Sequence, residues 1–143
     1  MENIRLLILG TGGMARNHAE GFGHIPGVQI VGGVDTRPAQ LDAFRADFGI
    51  PNGFASLDDA LAWGEFDAVT NVTPDAAHYV TTMPLLAAGK HVLCEKPLAT
   101  NAAEAWEMAN AAAAAGVVNM VNLSYRNVPA LQKAAQMVRD GAI

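Results

Sequence analysis

Residues 4–15, IRLLILGTGGMA, constrain the fold more than any other stretch: a short apolar run, broken only by Arg5, that stops at a cluster of glycines. A strand apolar on both of its faces has to be covered on both, which is the habit of parallel sheets flanked by helices. The pattern recurs. VQIVGGVD (28–35), FDAVTNV (66–72), KHVLCE (90–95) and VVNMVNLS (117–124) read as further strands of the same kind. Helix-compatible segments separate them: GMARNHAEGFGHI (13–25), RPAQLDAFRADFG (37–49), SLDDALAW (56–63), DAAHYVTTMPLLAAG (75–89), the Ala-rich run to Ala115, and PALQKAAQMVRDG (129–141). Strand–helix alternation predicts an α/β fold: a doubly wound, mostly parallel sheet of about six strands with helices on both faces.

Local punctuation supports these segments. Pro38 suits a first helical turn and Gly49 a helix stop. Ser56 is a natural N-cap, and Asn101 followed by Glu104 resembles a capping box. Pro84 removes one backbone hydrogen bond from its helix and predicts a bend there. Leu131, Ala134, Ala135 and Val138 share one face of the last helix, which makes it amphipathic. No repeat, linker or low-complexity tail interrupts the 143 residues, enough for one core.

The glycines carry the first chemical implication. Gly10, Gly12 and Ala15 have the spacing G-x-G-x-x-G/A, after a strand and at the opening of a helix. Gly10 permits a tight turn, Gly12 lets a pyrophosphate approach the backbone, and Ala15 permits close helix–strand packing. The N–H groups of Thr11, Gly13 and Met14 belong to the same anion-facing loop and helix start. The plain alternative is an ordinary glycine-rich turn. Asp35 lies 20 residues beyond Ala15, at the end of the second strand, where an acid binds adenosine ribose hydroxyls. Its alternative role is to cap the helix behind Pro38, although Thr36 offers itself for that. Asp35 favours NAD over NADP by repelling a 2′-phosphate. Arg37 pulls the other way, since it suits stacking on adenine or pairing with that phosphate.

Composition excludes more than it identifies. Nine basic against fourteen acidic side chains, a net charge of −5 and no basic run argue against a nucleic-acid partner. No segment approaches a membrane span, because Glu104, Glu107 and Asn110 interrupt the Ala-rich helix. The one cysteine, Cys94, forms no internal disulfide, which fits a reducing cytoplasm, and nothing marks it as reactive. No metal-ligand spacing is present.

At the carboxyl ends of the later strands, NVTPDAAH (71–78) places Thr73 and Pro74 in the turn and His78 in the first turn of a helix. A lone histidine there is more often structural than catalytic. CEKP (94–97) ends a strand in an acid, a base and a proline. Lys96 is placed for proton exchange, with Glu95 beside it to hold the ammonium, or the two are a solvated charge pair.

Gly10 and Gly12, Thr73-Pro74 with His78, and Glu95-Lys96-Pro97 together resemble the Gfo/Idh/MocA family over essentially the whole chain, including NLSYRNVPALQKAAQMVRDGAI (122–143). The resemblance implies an NAD(P)-binding Rossmann domain over residues 1–125. It implies a linking helix, 126–143, toward a C-terminal α/β substrate domain not contained here. It implies hydride transfer at a sugar or polyol hydroxyl, with Lys96 in proton transfer, Glu95 and Pro97 shaping the site, and Arg126 near the nicotinamide. A chain cut at such a boundary is expected to bind cofactor, to lack turnover and to self-associate as a homo-oligomer. Three other readings remain: a dinucleotide-binding module without catalysis, the cofactor domain of an NAD-dependent glycosidase of the same family, and an S-adenosylmethionine methyltransferase. The last does not call for Glu95-Lys96-Pro97.

Overall fold

The computed structural model describes residues 3–143. Six strands form one sheet: β1 (Ile4–Leu9), β2 (Val28–Val34), β3 (Asn52–Phe54), β4 (Ala68–Asn71), β5 (His91–Glu95) and β6 (Asn119–Asn122). Their spatial order is β3-β2-β1-β4-β5-β6, and every pairing is parallel. The helices are α1 (Gly13–Gly23), α2 (Pro38–Phe48), α3 (Leu57–Trp63), α4 (His78–Ala87), α5 (Ala102–Ala115) and α6 (Pro129–Arg139).

Alternate strand residues point to opposite faces, and β1 feeds both layers. Leu7 and Leu9 join a core with Ala60 of α3, Leu85 and Leu86 of α4 and Ala112 of α5. Ile8 points the other way, into a smaller core with Ala15 and Ala19 of α1 and Phe44 of α2. This is why the strand reads as a continuous apolar run. The chain runs outward from β1 through β2 to β3, then returns to β4 and runs outward on the opposite side. The order reverses between β1 and β4, so the segments leaving their carboxyl ends diverge and open a crevice.

The caps follow the sequence signals in part. The Ser56 hydroxyl accepts the Asp59 N–H, and the Asn101 side chain accepts the Glu104 N–H. The return half of the capping box is not made, because the Glu104 carboxylate takes the Thr100 hydroxyl instead. Gly49, Gly64 and Gly116 end α2, α3 and α5 in the left-handed conformation.

Three expectations need revision. The strand β3 has no apolar signature: its sequence is Asn-Gly-Phe, and its place comes from pairing with β2. The helix expected over 75–89 is split into a 3₁₀ turn, Asp75–Ala77, and α4, which continues through Pro84. Thr36 caps nothing. Arg37 occupies the N-cap of α2 without a side-chain cap bond, and its N–H goes to the Asp35 carboxylate.

Phe66, just before β4, is fully buried, lies 6.3 Å from the Trp63 ring and takes the Lys90 ammonium 4.4 Å from its centroid. Phe66→Ala is expected to cost about 3–5 kcal/mol, the usual range for a buried aromatic. Urea unfolding should show a lower midpoint with an unchanged slope.

Candidate functional site: the cleft between β1 and β4

The cleft at the reversal of strand order is lined by Gly10, Thr11, Gly12, Asp35, Arg37, Thr73 and Pro74, among others, and has a volume of about 460 Å³. Gly10 has φ +89°, and a Cβ there would lie 2.9 Å from the Val72 carbonyl oxygen. No other residue type fits this junction. At Gly12 the reason for glycine differs. A Cβ would meet only the Gln40 side-chain nitrogen, at 4.0 Å, so the absent side chain leaves space above the loop. No side chain caps α1, and its first N–H groups remain available to an anion. Gly13 and Met14 are exposed at that helix start, whereas Ala15 is completely buried against the sheet.

Asp35 follows β2 and is 7 % exposed. One oxygen, Oδ2, accepts the Thr11 N–H at 2.9 Å and the Thr11 hydroxyl at 2.8 Å. The other, Oδ1, accepts the Arg37 N–H at 3.0 Å and its Nε at 3.1 Å. Burial works against ionisation, but the hydrogen bonds from Arg37 and Thr11 outweigh it and hold the carboxyl at about 2. Asp35 therefore ties the glycine loop to the end of β2. Arg37, exposed over most of its side chain, is paired with Asp35. The far wall of the cleft, Ala55, Ser56 and Leu57, comes from the segment between β3 and α3, which the sequence marked for a helix cap and not for the site.

The second half of the site lies at the ends of β4 and β5. His78 is fully buried, with Nδ1 2.7 Å from the Pro97 carbonyl and Nε2 2.9 Å from the Thr73 carbonyl. It thus clamps the turn at Thr73-Pro74 to the Glu95-Lys96-Pro97 element. The expected pairing of the Glu95 carboxylate with the Lys96 ammonium is not what the geometry holds. Glu95 Oε2 accepts the Lys96 backbone N–H at 3.1 Å, and Oε1 faces His18 Nε2 at 3.0 Å and Asn122 Nδ2 at 2.6 Å. Burial raises the Glu95 pKa, but donation from Asn122, His18 and the Lys96 N–H prevails and the carboxyl is held below its usual range. The Lys96 side chain points to solvent.

His18 was not singled out in the sequence. The available signal was its spacing, three residues after Ala15 on the face of α1 that packs on the sheet, where a polar side chain needs a partner. Arg126 lines a groove with Leu131, Gln132 and Arg139. Burial pushes the Cys94 thiol up to about 11, so it stays protonated and unreactive. Among the described residues no group of three or more His, Cys, Asp and Glu side chains is arranged to hold a metal.

A parallel sheet of this order, with a glycine loop and an uncapped helix at its switch point, defines a nucleotide-binding domain of the Rossmann class. The chain belongs to the Gfo/Idh/MocA oxidoreductase family with an NAD-binding Rossmann fold, whose model matches residues 4–123. It is 32% identical over 136 residues to a 1,5-anhydro-D-fructose reductase of Ensifer adhaerens, covering 95% of this chain and 41% of that protein. It is 35% identical to the NADP(+)-dependent scyllo-inositol 2-dehydrogenase IolU of Bacillus subtilis, covering 82% of this chain and 36% of that protein. Among solved structures it resembles the WlbA dehydrogenase of Bordetella pertussis in complex with NADH and UDP-GlcNAcA. The TM-score is 0.92 at 33% identity, covering 98% of this chain and 44% of that one. The chain thus spans about two-fifths of the length of the relatives it matches.

The Asp35 interactions have a pH signature. Its folded pKa lies below the unfolded value of 3.8, so its stabilisation is complete above about pH 4 and is lost as pH falls toward about 2. Asp35→Asn is expected to lower the melting temperature at neutral pH and to flatten its decline across that acid window. Thermal denaturation followed by circular dichroism at a series of pH values checks both.

Proposed function

We propose that this chain is the cofactor domain of an NAD-dependent oxidoreductase acting on a sugar or polyol hydroxyl. The observation that carries the reading is the cleft itself: an open backbone at Gly12 over an uncapped helix, with an ionised Asp35 fixed beside it. The helix start suits a pyrophosphate, and Asp35 suits ribose hydroxyls. The dehydrogenases and reductases among its relatives favour a carbohydrate-like substrate. Residues 1–125 serve as the binding unit and 126–143 as the link to a substrate domain. The working form is a cytoplasmic homo-oligomer.

Asp35 argues for NAD over NADP. Its negative charge is held in place by Thr11, and Arg37 is engaged in neutralising it rather than free to receive a 2′-phosphate. The adenosine half would rest between Asp35 and the Ala55–Leu57 wall, and the nicotinamide half near Thr73 and Pro74. Bound NAD supplies the hydride acceptor. With its amine neutral, Lys96 Nζ would take the proton of the substrate hydroxyl as hydride leaves the carbon that bears it, and would return that proton in the reverse direction. His78 holds the Thr73-Pro74 turn to the Pro97 carbonyl, and so steadies the backbone next to the lysine.

Isothermal calorimetry is expected to show NAD binding at least about tenfold tighter than NADP, with Asp35→Ala losing about 1.5–3 kcal/mol of it. Tighter binding of NADP would overturn the preference. Gly12→Val is expected to abolish binding of both while the fold is kept. In a chain extended to the length of its relatives, Lys96→Met should lower turnover by about 10²–10⁴ with little change in cofactor affinity. NADH absorbance during a sugar and polyol screen reads that loss.

A further inference from the structure

The buried contacts behind Lys96 contain a residue with more to do than fill space. His18 leaves α1 and bridges two strands: Nδ1 lies 2.6 Å from the Thr70 hydroxyl of β4, and Nε2 3.0 Å from Glu95 Oε1 of β5. Asn122 of β6 closes the group, 2.6 Å from the same carboxylate oxygen and 3.3 Å from His18 Nε2. An ionised carboxylate only accepts, so the proton faces it from Nε2, and the Thr70 hydroxyl donates to Nδ1. The ring then donates to Glu95 and accepts from Thr70.

The remaining Glu95 oxygen accepts the Lys96 N–H at 3.1 Å. The lysine side chain is exposed, so the place of its Nζ is set by the backbone where β5 ends. On one side that backbone is held by His78 through the Pro97 carbonyl. On the other it is held by Glu95, whose orientation depends on His18 and Asn122. A leucine at position 18 would fill the layer between α1 and the sheet, but it would leave Glu95 short of one donor.

We infer that His18 is a positioning residue for Lys96: through Glu95 it fixes the strand end from which the lysine projects, and it joins that point to the helix whose N-terminus opens on the cleft. The inference rests on the reading of Lys96 as the proton-handling group.

Amide hydrogen exchange, followed by NMR on the 143-residue chain without cofactor, tests it residue by residue. His18→Leu is expected to speed exchange at the Lys96 amide about tenfold, while His18→Gln, which keeps an amide donor for Glu95, stays within about threefold of the parent. The amides of Val69 and Leu85, in the core, report global stability and should change little in either variant. An unmoved Lys96 amide in His18→Leu overturns the proposal, as does an equal acceleration at Lys96, Val69 and Leu85, which would make the residue merely structural. Should His18→Leu not fold, Thr70→Val removes the hydroxyl that orients the ring. It is expected to raise exchange at Lys96 selectively, and no change there counts against the proposal. Since the readout contains no dinucleotide, failure of NAD to bind would refute the cofactor reading without deciding this one.

Discussion

The close approach of Gly10 to the Val72 carbonyl governs the rest of the molecule. Strands β1 and β4 are adjacent in the sheet, and their following segments must separate at the same height. With no Cβ at Gly10 the chain turns directly over Val72 and sends α1 off on one face while the Thr73-Pro74 turn leads to the other. A side chain there would stand 2.9 Å from the carbonyl oxygen of Val72, a residue tied to β1 by its own N–H on the Leu9 carbonyl. The cleft exists because two backbones fit where one side chain would not.

Asp35 then rigidifies what Gly10 makes possible. A glycine loop is entropically costly to order, and the carboxylate offsets part of that cost by taking both the N–H and the hydroxyl of Thr11. The bonds to the Arg37 N–H and Nε bring the entry of α2 into the same arrangement. One acid thereby fixes a loop, a strand end and a helix start, and keeps its charge at the wall of the cleft.

The opposite rim is built from two histidines with different partners. His78 joins backbone to backbone, Thr73 to Pro97, and His18 joins side chain to side chain, Thr70 to Glu95. Between them the Glu95-Lys96-Pro97 element is held from both sides, with Glu95 buried and the lysine side chain exposed. Buried polar groups of this kind are tolerable because each is satisfied; among the described residues no buried side-chain nitrogen or oxygen lacks a partner.

Much of this was legible in the sequence, and the division follows the range of the interactions. Apolar runs such as Leu6–Leu9 report their own burial, glycine spacing reports a turn, and Ser56 and Asn101 cap helices that begin at the next residue, so the fold class, five of the strands, the loop and the position of Asp35 could be read from local order. The strand Asn52–Phe54 could not, because nothing in three residues distinguishes it until β2 lies alongside. Nor could the partners of Glu95. Its neighbour in sequence is Lys96, yet its carboxylate goes to a histidine 77 residues away and to Asn122, 27 residues away. A charged pair adjacent in sequence suggests an ion pair, but at a strand end successive side chains point to opposite faces. The strand sends Glu95 inward and Lys96 outward, and only the packing of α1 and β6 against β5 decides what meets the buried acid.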